Sequence, residues 1–128
     1  MKHETGTRPA VLLVDDNPQL LLVLAMFFEE SGYRVSEASS VVGAKVEFAR
    51  HEGWAIIVSD YHLSDGTGLA FHNWIQEQVR IPPPFLLMSG RFRGEAVERV
   101  KFLAKPFELA ELRATVEELT RDSAHLAK

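Results

Sequence analysis

Five chemically capable side chains follow short apolar runs. Asp15 and Asp16 close VLLV, Asp60 closes IIVS, Ser89 follows LLM and Lys105 follows FLA. Apolar runs of this kind, without polar alternation, mark strands covered on both faces, as in a parallel α/β sheet. Ligands of open α/β sheets bind outside the carboxyl ends of the strands, so these side chains are candidates for a single site on one edge. Three carboxylates gathered there repel one another, and a hard divalent cation with oxygen ligands holds such a group together. This predicts a Mg2+ site. Mg2+ keeps waters and couples to phosphate, while Lys105 supplies a point charge and Ser89 a hydroxyl donor for phosphoryl oxygens. With incoming charge neutralised, one carboxylate is able to act as nucleophile and become an aspartyl phosphate, and Asp60 is best placed for it. Taken singly, each residue has a plainer reading: a capping or turn Asp, a turn Ser, a solvated Lys.

The elements that must position these groups alternate strand and helix. Residues 10–14 form a first strand; Asp15, Asp16, Asn17 and Pro18 turn the chain into a helix, with Pro18 in its first turn and Asp16 or Asn17 as cap. Leu21, Leu22, Ala25, Met26 and Phe28 supply its apolar face until Gly32 stops it. A short strand over residues 33–38 leads through Ser39 and Ser40 to a second helix ending at Arg50, with Val42, Val46 and Ala49 at helical spacing. A strand over residues 55–58 precedes the glycine-bearing turn after Asp60. A third helix over residues 67–78 turns Leu69, Phe71, Trp74 and Ile75 toward the sheet, with Trp74 read as packing. Pro82, Pro83 and Pro84 form a stiff connector into a fourth strand at residues 85–88. A fifth strand holds Phe102, Leu103 and Ala104, and a last amphipathic helix over residues 107–120 carries Leu109, Leu112, Val116 and Leu119. Five βα units imply one parallel sheet with helices on both faces.

Composition narrows the classes. The 128 residues are 46% hydrophobic, enough for one domain with a single core, expected over residues 9–121 with flexible ends at 1–8 and 122–128. A net charge of -4 without a basic block gives no indication of a dedicated nucleic-acid surface, and no direct nucleic-acid partner is expected. The absence of cysteine excludes disulfides and thiolate metal sites and suits a cytoplasmic location. No apolar run is long enough to span a bilayer, and the first nine residues lack the core of a signal peptide.

Four motifs in this order, VLLVDDNP, IIVSDYHLSDGTG, LLMSG and FLAKPF, make the chain resemble the receiver domains of two-component response regulators over nearly its whole length. The resemblance implies a flavodoxin-like, doubly wound five-stranded parallel sheet in the order 2-1-3-4-5. It implies Asp60 as acceptor of a phosphoryl group from a histidine kinase or histidine phosphotransfer protein. Asp15 and Asp16 would bind Mg2+ directly or through water, and the backbone carbonyl of His62 would be a third protein contact to the metal. Ser89 would be the phosphate-sensing hydroxyl, Lys105 the phosphate-binding lysine and Phe102 the switch aromatic, with a cis peptide between Lys105 and Pro106. A hard cation prefers oxygen, which favours the carbonyl of His62 over its imidazole. His62 and Arg91, each two places beyond the acceptor or the switch hydroxyl, would flank the path of the hydrolytic water and slow loss of the phosphoryl group. The resemblance implies a signalling domain and not an enzyme, whether free-standing or part of a hybrid histidine kinase, as VKFLAKPF suggests; its output target is not legible.

Two rival functions carry their own marks. An aspartyl-phosphate phosphohydrolase wants a second Asp two places after its nucleophile, where this chain has His62. A pseudo-receiver acting only by binding partners would not need the intact acidic pair, Asp60 and Lys105. Departures from the family's usual pattern are Ser64 in place of a common proline, which leaves the acceptor loop less rigid, and Gly90 in place of alanine. The link from Gly90 to Val100 is short for a crossover that includes a helix, since about 10 to 12 residues are the minimum. A shortened or missing fourth helix is therefore expected, and with it no dimer through the face that relatives build from that helix. The signal would then leave through the first helix or the acceptor loop.

Overall fold

A computed structural model describes residues 8–90 and 100–126. Its main sheet is built from β1 (Ala10–Val14), β2 (Arg34–Ala38), β3 (Trp54–Asp60), and two further strands later in the chain, Phe85–Ser89 and Val100–Ala104. Between β3 and those strands lies a small hairpin of β4 (His62–Leu63) and β5 (Gly66–Thr67), so the last two strands of the main sheet are β6 and β7. All pairings in the main sheet are parallel and its order is β2-β1-β3-β6-β7, which is 2-1-3-4-5 when the hairpin is set aside. Four helices are seen among the described residues: α1 (Pro18–Glu30), α2 (Val41–Arg50), α3 (Gly68–Gln78) and α4 (Leu109–Leu126). The expected short or missing helix between Gly90 and Val100 falls on residues 91–99, outside the described residues, as do residues 1–7.

The unbroken apolar runs follow from a sheet covered twice. Along β1, Val11 and Leu13 enter the core beneath α1 and α4, whereas Ala10, Leu12 and Val14 enter the core beneath α2 and α3. β3 does the same, sending Ile56 and Val58 to the first core and Ile57 to the second. Successive strand side chains point to opposite faces, so a strand buried on both must be apolar throughout. Leu24, Phe28, Leu112 and Val116 close the first core; Ala44, Phe48, Phe71 and Ile75 close the second. Trp54 stacks against Phe48, 6.4 Å between ring centres, and donates its indole N–H to the Phe48 carbonyl at 3.1 Å.

Two helices present a stripe that differs in part from the expected one, whereas α4 buries Leu112, Val116 and Leu119 as expected. α1 buries Leu21, Leu24, Ala25, Phe27 and Phe28, leaving Leu22 at 62% and Met26 at 52% exposure. In α2 the buried stripe is Val41, Ala44 and Phe48, while Val42 and Val46 face outward. Every residue in the first two turns of α1 from Leu20 to Ala25 is apolar, so spacing alone left two adjacent stripes, and packing against the sheet and α4 decides which one is buried. α4 begins at Leu109, which is exposed, and runs on to Leu126, past the expected end at Thr120. Trp74 is half-buried against the second core.

Candidate functional site

The carboxyl ends of β1, β3, β6 and β7 bring Asp15, Asp16, Asp60, Ser89 and Lys105 to one edge of the sheet. Asp15 is held by its own turn: its N–H donates to the Ala38 carbonyl at 3.1 Å and its Oδ1 accepts the Asn17 N–H at 2.8 Å. Asn17 in turn caps α1, its Oδ1 accepting from the N–H groups of Gln19 and Leu20 at 2.9 and 3.2 Å, with Pro18 in the first turn. Helix α1 thus starts where it must to hold the acidic pair at the edge.

Carboxylate oxygens of Asp15, Asp16 and Asp60 all lie within 4.8 Å of one another. Asp15 is fully buried, Asp60 nearly so, and Asp16 is exposed. The Lys105 ammonium sits between the two buried acids, its Nζ 3.1 Å from Asp60 Oδ1 and 3.3 Å from Asp15 Oδ2. Burial pushes the Asp15 carboxyl above its usual range, and neither the Asn17 N–H nor the Lys105 charge fully offsets this; the charge of Asp60 adds to it. Burial also works against the charge on Lys105, but hydrogen bonding to Asp60 and the charges of both acids outweigh it and raise its pKa. One cation facing three carboxylates leaves the cluster underneutralised. A donor set made only of oxygens at this spacing fits a hard divalent cation.

Ser89 is buried at the end of β6, and its carbonyl accepts the Lys105 N–H at 2.9 Å, so the strand ladder fixes serine and lysine relative to one another. The Lys105–Pro106 peptide is cis. Phe102 is half-buried on β7 against the second core. His62 is exposed at the start of the hairpin, its ring in edge contact with Tyr61 at 4.9 Å between centres. Arg91 lies outside the described residues.

Other residues that shape the site were not read from the sequence. The Ser59 hydroxyl, fully buried, donates to the Asp60 carbonyl at 2.9 Å. A Cβ on Gly68 would collide with that same carbonyl oxygen and stand 2.7 Å from Leu87 Cδ1, so only glycine lets α3 begin so close to the acceptor strand. The acceptor loop is tied down along its length: Tyr61 N–H donates to Met88 at 2.7 Å, Gly68 N–H to Tyr61 at 2.8 Å, and the Leu63 side chain is buried in the second core. Asp65, at the tip of the hairpin, reaches helix α2: its Oδ1 accepts the Val41 N–H at 2.7 Å and its Oδ2 the Val42 N–H at 3.0 Å. The one available sequence signal was the Asp-Gly pair in a turn, which announces a turn but not its partner.

Residues 11–117 match the family model described as response regulator receiver domain. Among characterised relatives, the response regulator Rre1 of Synechocystis is 31% identical, aligned over 86% of this chain and 51% of its own length. The photosynthetic apparatus regulatory protein RegA of Rhodovulum sulfidophilum is 30% identical over 90% of this chain and 65% of its own. The chain therefore spans between half and two thirds of the length of these relatives. Among solved structures, the chemotaxis response regulator CheY4 of Vibrio cholerae superposes with a TM-score of 0.76 at 26% identity, covering 88% of this chain and 99% of that one. The signal receiver domain of an HD domain-containing protein from Pseudomonas fluorescens shares the fold with a TM-score of 0.83 at 20% identity, covering 98% and 96% of the two chains. The sheet order, the acidic edge and the matched residues together establish that this chain belongs to the response regulator receiver domains of two-component signalling systems.

Proposed function

We propose that Asp60 is the phosphoacceptor of this receiver domain, taking a phosphoryl group from a histidine kinase or a histidine phosphotransfer protein in the cytoplasm. The observation that carries this reading is the Lys105 ammonium 3.1 Å from Asp60 Oδ1 within a cluster of three carboxylates at the sheet edge. An Asp60 oxygen attacks phosphorus, the P–N bond to the donor imidazole breaks, and that imidazole keeps the electron pair and is left to take up a proton. Asp15, Asp16, Asp60 and the carbonyl of His62 would hold Mg2+. When bound, the metal supplies charge neutralisation and orients the phosphoryl oxygens.

The chain's own groups do the rest. Lys105 is already positioned to meet one phosphoryl oxygen, and pre-placed charge of this kind needs no reorganisation as the new bond forms. Ser89, at the end of the neighbouring strand, offers a hydroxyl to another. Phe102, half-buried on β7, is the aromatic whose packing would respond when Ser89 is drawn to the phosphoryl group, altering the surface offered to a downstream protein. Incubation with acetyl phosphate and Mg2+, read by intact mass, tests the assignment. Parent protein should gain one phosphoryl group and Asp60→Asn none; undiminished modification of that variant would place the acceptor elsewhere.

A further inference from the structure

The acceptor loop has no proline between Asp60 and Gly68, yet His62, at the start of its hairpin, must present a carbonyl at a fixed place if it is to meet a metal. We propose that Asp65 is the positioning residue that supplies this rigidity, latching the acceptor loop onto the start of α2. The inference deepens the acceptor-site reading and rests on it.

Helix α2 begins with N–H groups that no helical carbonyl can satisfy. Here every one of the first three is accounted for. Val41 and Val42 donate to the two oxygens of Asp65 at 2.7 and 3.0 Å, and Gly43 donates to Ser40 Oγ at 3.0 Å. The local cap thus covers only one donor, and the other two depend on a residue 24 and 23 positions further along. Two parallel charge-assisted bonds fix both the distance and the direction of the carboxylate, and the helix dipole favours its negative charge. Lys45, one turn on, adds attraction, and the bonds from Val41 and Val42 hold the Asp65 carboxyl below the usual range. Contact is close elsewhere too: a Cβ added to Gly66 would lie 3.2 Å from Val41 Cγ2.

The latch is joined to the site by a short rigid path. Asp65 lies in the two-residue turn of a hairpin whose strands pair His62 with Thr67 and Leu63 with Gly66. Leu63 is buried in the second core, and Thr67 Oγ1 caps α3 by accepting the Ala70 N–H at 3.0 Å. With the far end of the hairpin clamped to α2 and its base clamped to α3, the His62 carbonyl has little freedom to drift. Without Asp65 the hairpin tip loses both of these hydrogen bonds to α2, and the carbonyl is held chiefly from the α3 side.

Mg2+ titration and amide hydrogen exchange, both followed by NMR on the parent, Asp65→Ala and Asp65→Asn, test this. Asp65→Ala should bind Mg2+ about tenfold more weakly, the loss typical when a group supporting a metal ligand is removed. Exchange at Val41, Val42 and residues 61–67 should quicken roughly fivefold, as for a lost helix cap, while β1 and β3 amides keep their rates. Asp65→Asn, which retains an acceptor oxygen without charge, should fall between. Mg2+ affinity equal to the parent in Asp65→Ala overturns the latch and leaves the acceptor reading intact. Exchange quickened uniformly through β1 and β3 also overturns it, by reducing Asp65 to a contributor to global stability. A parent that binds no Mg2+ at all overturns the acceptor reading and this inference together.

Discussion

Neither ring nitrogen of His72 meets a hydrogen-bond partner among the described residues, although the side chain is only 1% exposed. It lies on α3 within the stripe that buries Phe71 and Ile75, its ring 4.9 Å from that of Phe85. A buried imidazole so poorly hydrogen-bonded favours its neutral form: desolvation lowers its pKa from 6.5, and the neighbouring Asn73 side chain opposes this only in part. In the unfolded chain the same group takes up a proton as pH falls through 6.5; the folded chain resists until the lower folded value is reached. Stability from a neutral His72 is therefore present above 6.5 and lost as pH falls from there toward the folded pKa. Thermal unfolding between pH 5 and 8 should show the parent losing stability faster on acidification than His72→Leu. Parallel curves for the two proteins would mean that His72 takes up its proton alike in the folded and the unfolded chain. Asp65 shows the opposite way of treating a polar group, exposed and bonded to two backbone donors. The pair also shows the limit of reading residues in isolation: a histidine in an apolar stripe was legible as part of a helix, but a cap that joins residue 65 to residue 41 leaves no local pattern.

At the scale of elements, β1, β3 and β6 were legible because burial on both faces demands unbroken apolar runs, β2 by its alternation, and the turns because Asn17, Pro18 and Ser40 have few other uses. Helix faces were less legible. Nearly all of α1 is apolar, and the stripe that packs is chosen by contacts with β1, β3 and α4 that spacing within one helix does not encode. Phe28, fully buried, meets Phe27 and Tyr33 edge-to-face at 5.0 and 5.1 Å, whereas Leu22 on the same helix is 62% exposed. Phe28→Ala should cost about 3–5 kcal/mol, by lost transfer free energy and a residual cavity. Leu22→Ala should fall within about 0.5 kcal/mol of the parent. Urea unfolding with a common m-value checks both, and similar losses for the two would show that α1 packs through the other stripe. The hairpin of β4 and β5 escaped sequence reading because four residues in two short strands are below any periodic signal.

Across the whole molecule, the proposed acceptor site at the acidic edge is set against stability. The cores are closed and apolar, yet the strand ends gather three carboxylates within 4.8 Å and bury Asp15 completely, with Lys105 as the only cation that bridges the two buried acids among the described residues. Such an arrangement is costly to the fold, and removing part of it should release stability. Asn has nearly the shape of Asp and keeps an oxygen for the Asn17 N–H that Asp15 accepts at 2.8 Å. Asp15→Asn therefore removes a buried, repelled charge while leaving the turn intact. In EDTA its Tm should exceed that of the parent. Adding Mg2+ should reverse the order, because a ligand that binds only the folded state stabilises it by about 2.7 kcal/mol at a hundredfold excess over Kd, and the variant has lost part of the donor set. Calorimetry with and without Mg2+ separates the two effects. A variant less stable than the parent in EDTA would show that the Lys105–Asp15 pair contributes more to the fold than burial and repulsion cost, and that the acidic edge stabilises the domain in the absence of any metal.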